Sequence, residues 1–280
     1  MSVAESKTSL QANRAIDLFI DVSKPFQARF QKPLWNKHPE YLKDSLAALL
    51  IFLEGYAFER QGRDPAYSYA AVEAIEMVKD SWSEQDFPQI VWTKFSRLLE
   101  DKGLNKNRNP LYHVPNSCRC VRCAIGSANI ILTSKENLAQ GQVTQAWEGL
   151  QKIRGTGPKI ASLFLRDIAV QFELIPMIPP QDRWRLQPVD VWVRRAVSSL
   201  REDKEREDAN IPSKDKEIAE WLVNNCTKPE LANQGIWYFG AQIAESKFRL
   251  DKAIKDVDYA WRIYREHIAN LKAAAAVIES

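Results

Sequence analysis

The sequence predicts an all-α protein, and three observations predict it. Apolar residues recur at spacings of three and four along most of the chain, which places them on single helical stripes. Alternation of apolar and polar residues, the signature of a half-buried strand, is rare and short. Between the periodic stretches, glycine and proline fall in clusters, as they do where helices stop and chains turn.

In chain order, the first strong stripe runs through Tyr41 to Ala57, where Leu42, Leu46, Leu49, Leu50 and Leu53 share one helical face. Similar stripes span Ala70 to Val78, Ile90 to Leu99, Ile125 to Leu132 and Tyr259 to Ile278. The connections read from their punctuation: QGRDPAYS at Gln61 to Ser68, DKGLNKNRNP at Asp101 to Pro110, and IPMIPPQDRW at Ile175 to Trp184. The last holds Pro176, Pro179 and Pro180 and cannot be helix throughout. The mixed-charge run REDKEREDANIPSKDK, Arg201 to Lys216, reads as a solvated helix end and loop with no function of its own. No internal repeat or low-complexity tract is present.

With 45% hydrophobic residues, 280 residues suffice for a sizeable core, in one large domain or two intimate ones. A net charge of +3 permits a polyanionic partner without demanding one, because local clustering matters more than the sum. The longest uninterrupted apolar run, Leu46 to Leu53, falls far short of the roughly 20 residues of a membrane helix, and MSVAESKTSL carries no leader signature. A cytoplasmic or nucleoid-associated monomer with no membrane partner is expected. Of the four cysteines, three crowd between Cys118 and Cys123, which is no disulfide framework; reduced thiols are expected.

The most ordered local pattern is IRGTGPKIAS, Ile153 to Ser162. Gly155 and Gly157 bracket Thr156, so the backbone there can take positive φ and turn tightly, and Pro158 suits the first position of a helix. Beyond it Ile160, Leu163, Phe164, Ile168 and Phe172 form an apolar stripe, with Lys159, Ser162 and Arg166 on the opposite, polar face. Upstream, Ala146, Leu150 and Ile153 mark a shorter helix ending at Gly155. A helix, a short hairpin and a second helix follow from this. The backbone N–H groups and dipole of the second helix attract a phosphate, with Lys152 and Arg154 adding charge. Such a contact grips the nucleic-acid backbone without reading its sequence. An ordinary corner between two helices has the same grammar, and Lys159 can be a phosphate contact, a solvated helix end or a nucleophile.

Farther on stands QPVDVWVRR, Gln187 to Arg195. Val189, Val193, Ala196, Val197 and Leu200 recur at helical spacing and put Asp190 at or beside a helix N-cap, where free N–H groups favour a carboxylate. A plain capping aspartate fits that position too.

Taken together, IRGTGPKIAS and QPVDVWVRR resemble the signature of the helix-hairpin-helix, Gly/Pro-rich loop, aspartate superfamily of DNA base-excision glycosylases, to which endonuclease III and 8-oxoguanine DNA glycosylase belong. The match covers Leu150 to Arg195, roughly a sixth of the chain. The resemblance implies two helical subdomains with the helix-hairpin-helix motif at a DNA-binding cleft. One is a helical barrel over 56–174; the other, 1–55 plus 175–280, carries the catalytic aspartate. It implies that Asp190 is that aspartate. A lysine at the position of Lys159 marks members that both release the base and cleave the strand. The implied partner is double-stranded DNA bearing a damaged or modified base. An oxidised base such as 8-oxoguanine leads, and an alkylated or phage-type modified base is the alternative.

That chemistry explains the residue types. Breaking an N-glycosidic bond leaves a sugar with oxocarbenium character, which Asp190 can stabilise. Lys159 must attack as a free amine, and a first-turn position with partial burial would lower its pKa. The Schiff base labilises the 2′ proton, so β-elimination can cut the strand. The base must first leave the stack. Gln61 sits where relatives carry a DNA-inserting residue, though a surface polar residue fits as well. Trp237, Tyr238 and Phe239 in QGIWYFG can line a base pocket or belong to the core.

Two features depart from the superfamily. Lys159 and Asp190 stand 31 positions apart (190 minus 159), more than in endonuclease III-like members. The excess falls in IPMIPPQDRW, a loop or short extra element whose Arg183, Trp184 and Arg185 can touch DNA or remain a plain surface loop. Only Cys226 lies beyond Asp190, so the four-cysteine iron–sulfur cluster of endonuclease III-like enzymes is not expected and no cofactor is required. His113, Cys118, Cys120 and Cys123 can be arranged around a tetrahedral zinc, but their spacing is not that of two separated C-x₂-C pairs, and reduced thiols are the alternative. A non-catalytic helix-hairpin-helix module that only grips DNA would share these motifs.

Overall fold

The computed structural model describes residues 3–58, 66–81, 86–104, 129–153, 156–201 and 214–278. Among them every regular element is helical and no strand occurs, as the periodicity predicts. The α-helices are α1 (Val3–Phe26), α2 (Lys32–Lys37), α3 (Ser45–Phe52), α4 (Ala66–Glu76), α5 (Phe87–Asp101), α6 (Ile130–Ala139) and α7 (Val143–Gln151). They continue with α8 (Pro158–Gln171), α9 (Val191–Leu200), α10 (Asp215–Asn225), α11 (Pro229–Tyr238), α12 (Lys247–Lys255) and α13 (Val257–Ile278). Among the described residues no helix is long and apolar enough to cross a membrane.

The chain divides into two compact units, 1–29 with 189–280, and 30–188. The second unit therefore reaches beyond the 56–174 implied by the resemblance. Residues 30–55 join it because α3 supplies the middle of its core, and 175–188 join it because Ile178 and Leu186 are buried in that same core.

Within unit 30–188, α3 differs from the expected one-sided helix over Tyr41 to Ala57. It begins only at Ser45, because the Asp44 side chain accepts the Leu46 N–H at 2.8 Å and caps it. From Ala47 to Phe52 every residue is buried, so this is a central helix, apolar all round. It continues as a π-helical turn over Leu53–Phe58. Around it pack Ala70, Ala74 and Ile75 of α4, Phe87, Val91, Phe95 and Leu99 of α5, and Ile130 and Ile131 of α6. Phe164 of α8 meets the rings of Phe52 and Tyr56 edge-on at 5.1 and 5.0 Å. Burying each such side chain contributes about 1.5–3 kcal/mol. Asn129 ties the start of α6 to the chain before α3: its side chain accepts from Leu132 N and donates to Tyr41 O, both at 2.8 Å.

In the other unit α1 lies against α11 so closely that a Cβ on Gly235 would collide with the Phe19 carbonyl. Backbone cannot yield there as a flexible side chain can. Gly235→Ala is therefore expected to cost about 3 kcal/mol, the upper end of overpacking effects, read as a lower urea midpoint at unchanged m. A wild-type midpoint would show that the two helices separate freely. In the same unit α9 packs against α12 and α11, and its residues Val193, Ala196, Val197 and Leu200 are buried, as their spacing predicts, with Leu250 and Ile254 of α12.

Candidate functional site

The two helices of the hairpin pattern are both present. α7 buries Val143, Ala146 and Leu150, and α8 buries Ile160, Phe164 and Ile168. α7 ends earlier than the glycine suggests: Lys152 is its C-cap, its N–H bonded to Gly149 O at 3.2 Å, and the next N–H, of Ile153, bonds Leu150 O at 3.0 Å. Arg154 and Gly155 lie outside the described residues. Thr156 is buried and donates its N–H to Ile153 O at 2.9 Å. Gly157 is extended, φ −85° and ψ −180°, and a Cβ there would meet nothing within 4 Å. The positive φ expected of a glycine turn is not used at this position. Pro158 opens α8 as anticipated, and Gly157 O takes the N–H groups of Ile160 and Ala161 at 3.0 and 3.1 Å.

The polar face assigned to α8 is corrected. Of Lys159, Ser162 and Arg166, only Lys159 is exposed. Its expected partial burial is not found. Ser162 is 5% exposed and its hydroxyl accepts the Trp147 indole N–H at 3.0 Å, so it pins α8 to α7 rather than facing DNA. Arg166 is 1% exposed, its guanidinium on Asp167 at 2.9 Å through both Nε and Nη2. Tyr56 completes that cluster by donating its hydroxyl to Asp167 at 3.2 Å. Burial first, and the Asp167 charge second, hold the Tyr56 phenol well above the usual tyrosine range.

Lys152 borders a shallow depression of about 440 Å³ on the outer side of α7, lined also by Gln142, Thr144, Gln145, Glu148 and Asp182. The extra segment 175–186, which contributes Asp182 to this depression, folds as two 3-10 turns, Ile175–Met177 and Pro180–Leu186. It is held from within: the Trp184 ring lies 5.7 Å from that of Trp147, and the Arg185 guanidinium lies 4.4 Å over Trp184 and bonds Asp182 at 2.6 Å. Trp184 and Arg185 are thus anchored to α7.

Asp190 is placed as its sequence context predicts. It is the N-cap of α9, and its Oδ1 accepts the N–H groups of Trp192 and Val193, both at 2.9 Å. α9 is braced farther along by Arg194, bidentate on Asp215 at 2.6 and 2.8 Å, and by Arg195, which with Ser199 holds Asp251. The Trp192 indole stands so close to Gly240 that a Cβ there would approach the ring at 2.9 Å.

The aromatic trio is largely core. Tyr238 and Phe239 are 0% exposed. Phe239 meets Phe19 at 5.6 Å, and the Tyr238 hydroxyl pairs with His267 Nε2 at 2.9 Å. Trp237, half-buried, stands edge-on to Phe26. A base pocket built of Tyr238 and Phe239 is therefore ruled out by packing. Gln61, His113, Cys118, Cys120 and Cys123 lie outside the described residues. Cys226 is buried, and burial, with Glu230 second, pushes its thiol up to about 12, which disfavours the thiolate a metal needs.

Sequence reasoning passed over Trp147 and Asp167. Trp147 reads as one more apolar helix residue, and Asp167 as a surface charge next to Arg166; only the fold shows that each holds α8 in place. Lys159 belongs to unit 30–188, and Asp190 to the other unit.

No protein-family model matches the chain, and no solved structure matches it. It is similar to an uncharacterized protein of Methanocaldococcus jannaschii, 27% identical over a 207-residue alignment that covers 65% of this chain and 48% of that protein. The chain thus spans about half the length of that curated relative.

Proposed function

We propose that the protein is a DNA glycosylase that flips a damaged or modified base out of duplex DNA, excises it, and cleaves the strand through a lysine Schiff base. The observation that carries this reading is the location of its two candidate groups. The superfamily-like signature puts an exposed lysine in the first turn of α8, after the α7 connection, and an aspartate at the N-cap of α9.

In the reaction, Asp190 stabilises positive charge growing on the sugar as the bond from C1′ to the base nitrogen breaks and the base departs with its electron pair. Lys159, as a free amine, bonds to C1′ and gives up a proton; the C1′–O4′ bond then breaks, its oxygen takes a proton, and the ring-opened imine left on the nitrogen is the Schiff base. Removal of a 2′ proton then expels the 3′ phosphate. These steps need no metal or redox cofactor. The substrate proposed first is DNA holding an oxidised base such as 8-oxoguanine. The exposure of Lys159 favours a second reading, a glycosylase without strand cleavage in which this ammonium contacts a phosphate.

Base release from duplexes containing 8-oxoguanine or an alkylated base tests the proposal in single-turnover assays. Asp190→Asn is expected to slow release about a hundredfold, the scale of one well-placed electrostatic group. Release at the wild-type rate would remove Asp190 from the mechanism, and no release from any lesion by the wild-type protein would favour a DNA-gripping module.

A further inference from the structure

α12, KFRLDKAIK, carries four cations and one carboxylate. That carboxylate, Asp251, is engaged inside the unit by Arg195 and Ser199. Phe248, Lys252 and Lys255 follow at i, i+4 and i+7 and are all exposed, so they share one outward face beside Lys247. Phe248 is 77% exposed, more than any other large hydrophobic residue among those described.

Next to this face stands Tyr259, ringed by cations. Lys252 Nζ lies 4.5 Å and the Arg262 guanidinium 5.3 Å from its ring centre, and Arg249 Nε donates to its hydroxyl at 3.4 Å. The neighbouring acids are already engaged: Asp256 accepts the Tyr259 N–H at 3.0 Å, and Asp258 takes Arg14 at 2.9 Å. Among the described residues no carboxylate forms an ion pair with Lys247, Arg249, Lys252, Lys255 or Arg262. Five like charges are thus gathered around two aromatic rings, one of them bare to solvent. Such a surface repels itself in isolation and gains from an anion that also offers flat apolar faces, which is the chemistry of a nucleic acid.

We propose that the outward face of α12, with the Tyr259 cluster beside it, is a second DNA-docking surface, separate from the α7–α8 hairpin. Lys247, Lys252 and Lys255 take backbone phosphates and Phe248 packs on an exposed sugar or base. The inference rests on the reading of the chain as a DNA-binding protein but not on its catalytic chemistry. It provides sequence-independent grip from the unit that carries Asp190.

Fluorescence anisotropy with the full chain and an undamaged labelled duplex, across a salt series, tests it. The double substitution Lys252→Ala with Lys255→Ala is expected to weaken binding about tenfold and to make the slope of log K against log salt shallower by about two, one per lost phosphate contact. Phe248→Ala should weaken binding about fivefold with the slope unchanged, as loss of stacking does. All three positions are exposed, and circular dichroism checks that the helices persist. Unaltered affinity and slope in these variants overturn the proposal, and so does loss of binding only to phosphatidylserine vesicles, which would mark a lipid surface. Base release scored in parallel separates the two readings. Variants that lose DNA affinity while the wild-type protein releases no base leave the surface standing without the glycosylase. Intact release with unaltered affinity does the reverse.

Discussion

Lys159→Ala is expected to abolish the covalent complex that, on the proposed mechanism, borohydride traps between this protein and duplex DNA containing 8-oxoguanine or an abasic site. The physical reason is that borohydride reduces only an imine, and on the proposed mechanism the imine joins Lys159 Nζ to C1′. Strand cleavage should fall at least about a hundredfold, the lower end of what a positioned catalytic group contributes. Base release should fall as well if the amine attacks before the base leaves. It should persist if Lys159 only contacts a phosphate, the role its exposure favours. In that event Lys159→Ala weakens binding in a salt-dependent way and leaves the rate at saturation alone. Trapping that survives the substitution rules out Lys159 as the nucleophile. Because Lys159 lies on the solvent side of α8, the variant should be as stable as wild type, so a lost activity is not a lost fold.

The largest stability effect is expected at Asp167→Ala. Asp167 is 3% exposed and holds the Arg166 guanidinium at 2.9 Å and the Tyr56 hydroxyl at 3.2 Å. Truncation leaves a deeply buried guanidinium without that carboxylate, a change worth about 3–5 kcal/mol, seen as a lowered urea midpoint. Tyr56→Phe, which takes away one hydrogen bond, should cost only about 1 kcal/mol. The same cluster fixes a pH dependence. The Tyr56 phenol is held well above its ordinary value, so its contribution is complete below that value and is lost as the pH climbs beyond about 10. An Asp167→Ala protein within about 1 kcal/mol of wild type would mean that water reaches this pair, contrary to its burial. The cluster sits on α8, so the loss should also loosen the helix that presents Lys159.

Much of this was legible in the chain. Pro158 and the stripe Ile160, Phe164 and Ile168 mark α8, and Val189, Val193, Ala196 and Val197 place Asp190 at the head of α9, because caps and apolar periods act through neighbouring residues. Legibility failed where the partner is distant in sequence. Ser162 and Arg166 share a helical face with Lys159 and look solvated by period alone, yet Trp147 and Tyr56 arrive from other helices to enclose them. Tyr238 and Phe239 fit a base pocket or the core by sequence alone, and α1, more than two hundred residues earlier, decides for the core.

The sequence by itself determined the helical class and the starts of α8 and α9, since each depends on contacts within a few residues, and its resemblance to a glycosylase signature is what nominates Lys159 and Asp190 as a pair. Tertiary structure alone decided that α3 is central and apolar all round, that Ser162 and Arg166 brace α8 instead of touching a ligand, and that the cations of α12 gather around Tyr259 beside an exposed Phe248. Burial and charge clustering are sums over neighbours brought from distant parts of the chain, and a helical period records only the face, not what comes to cover it.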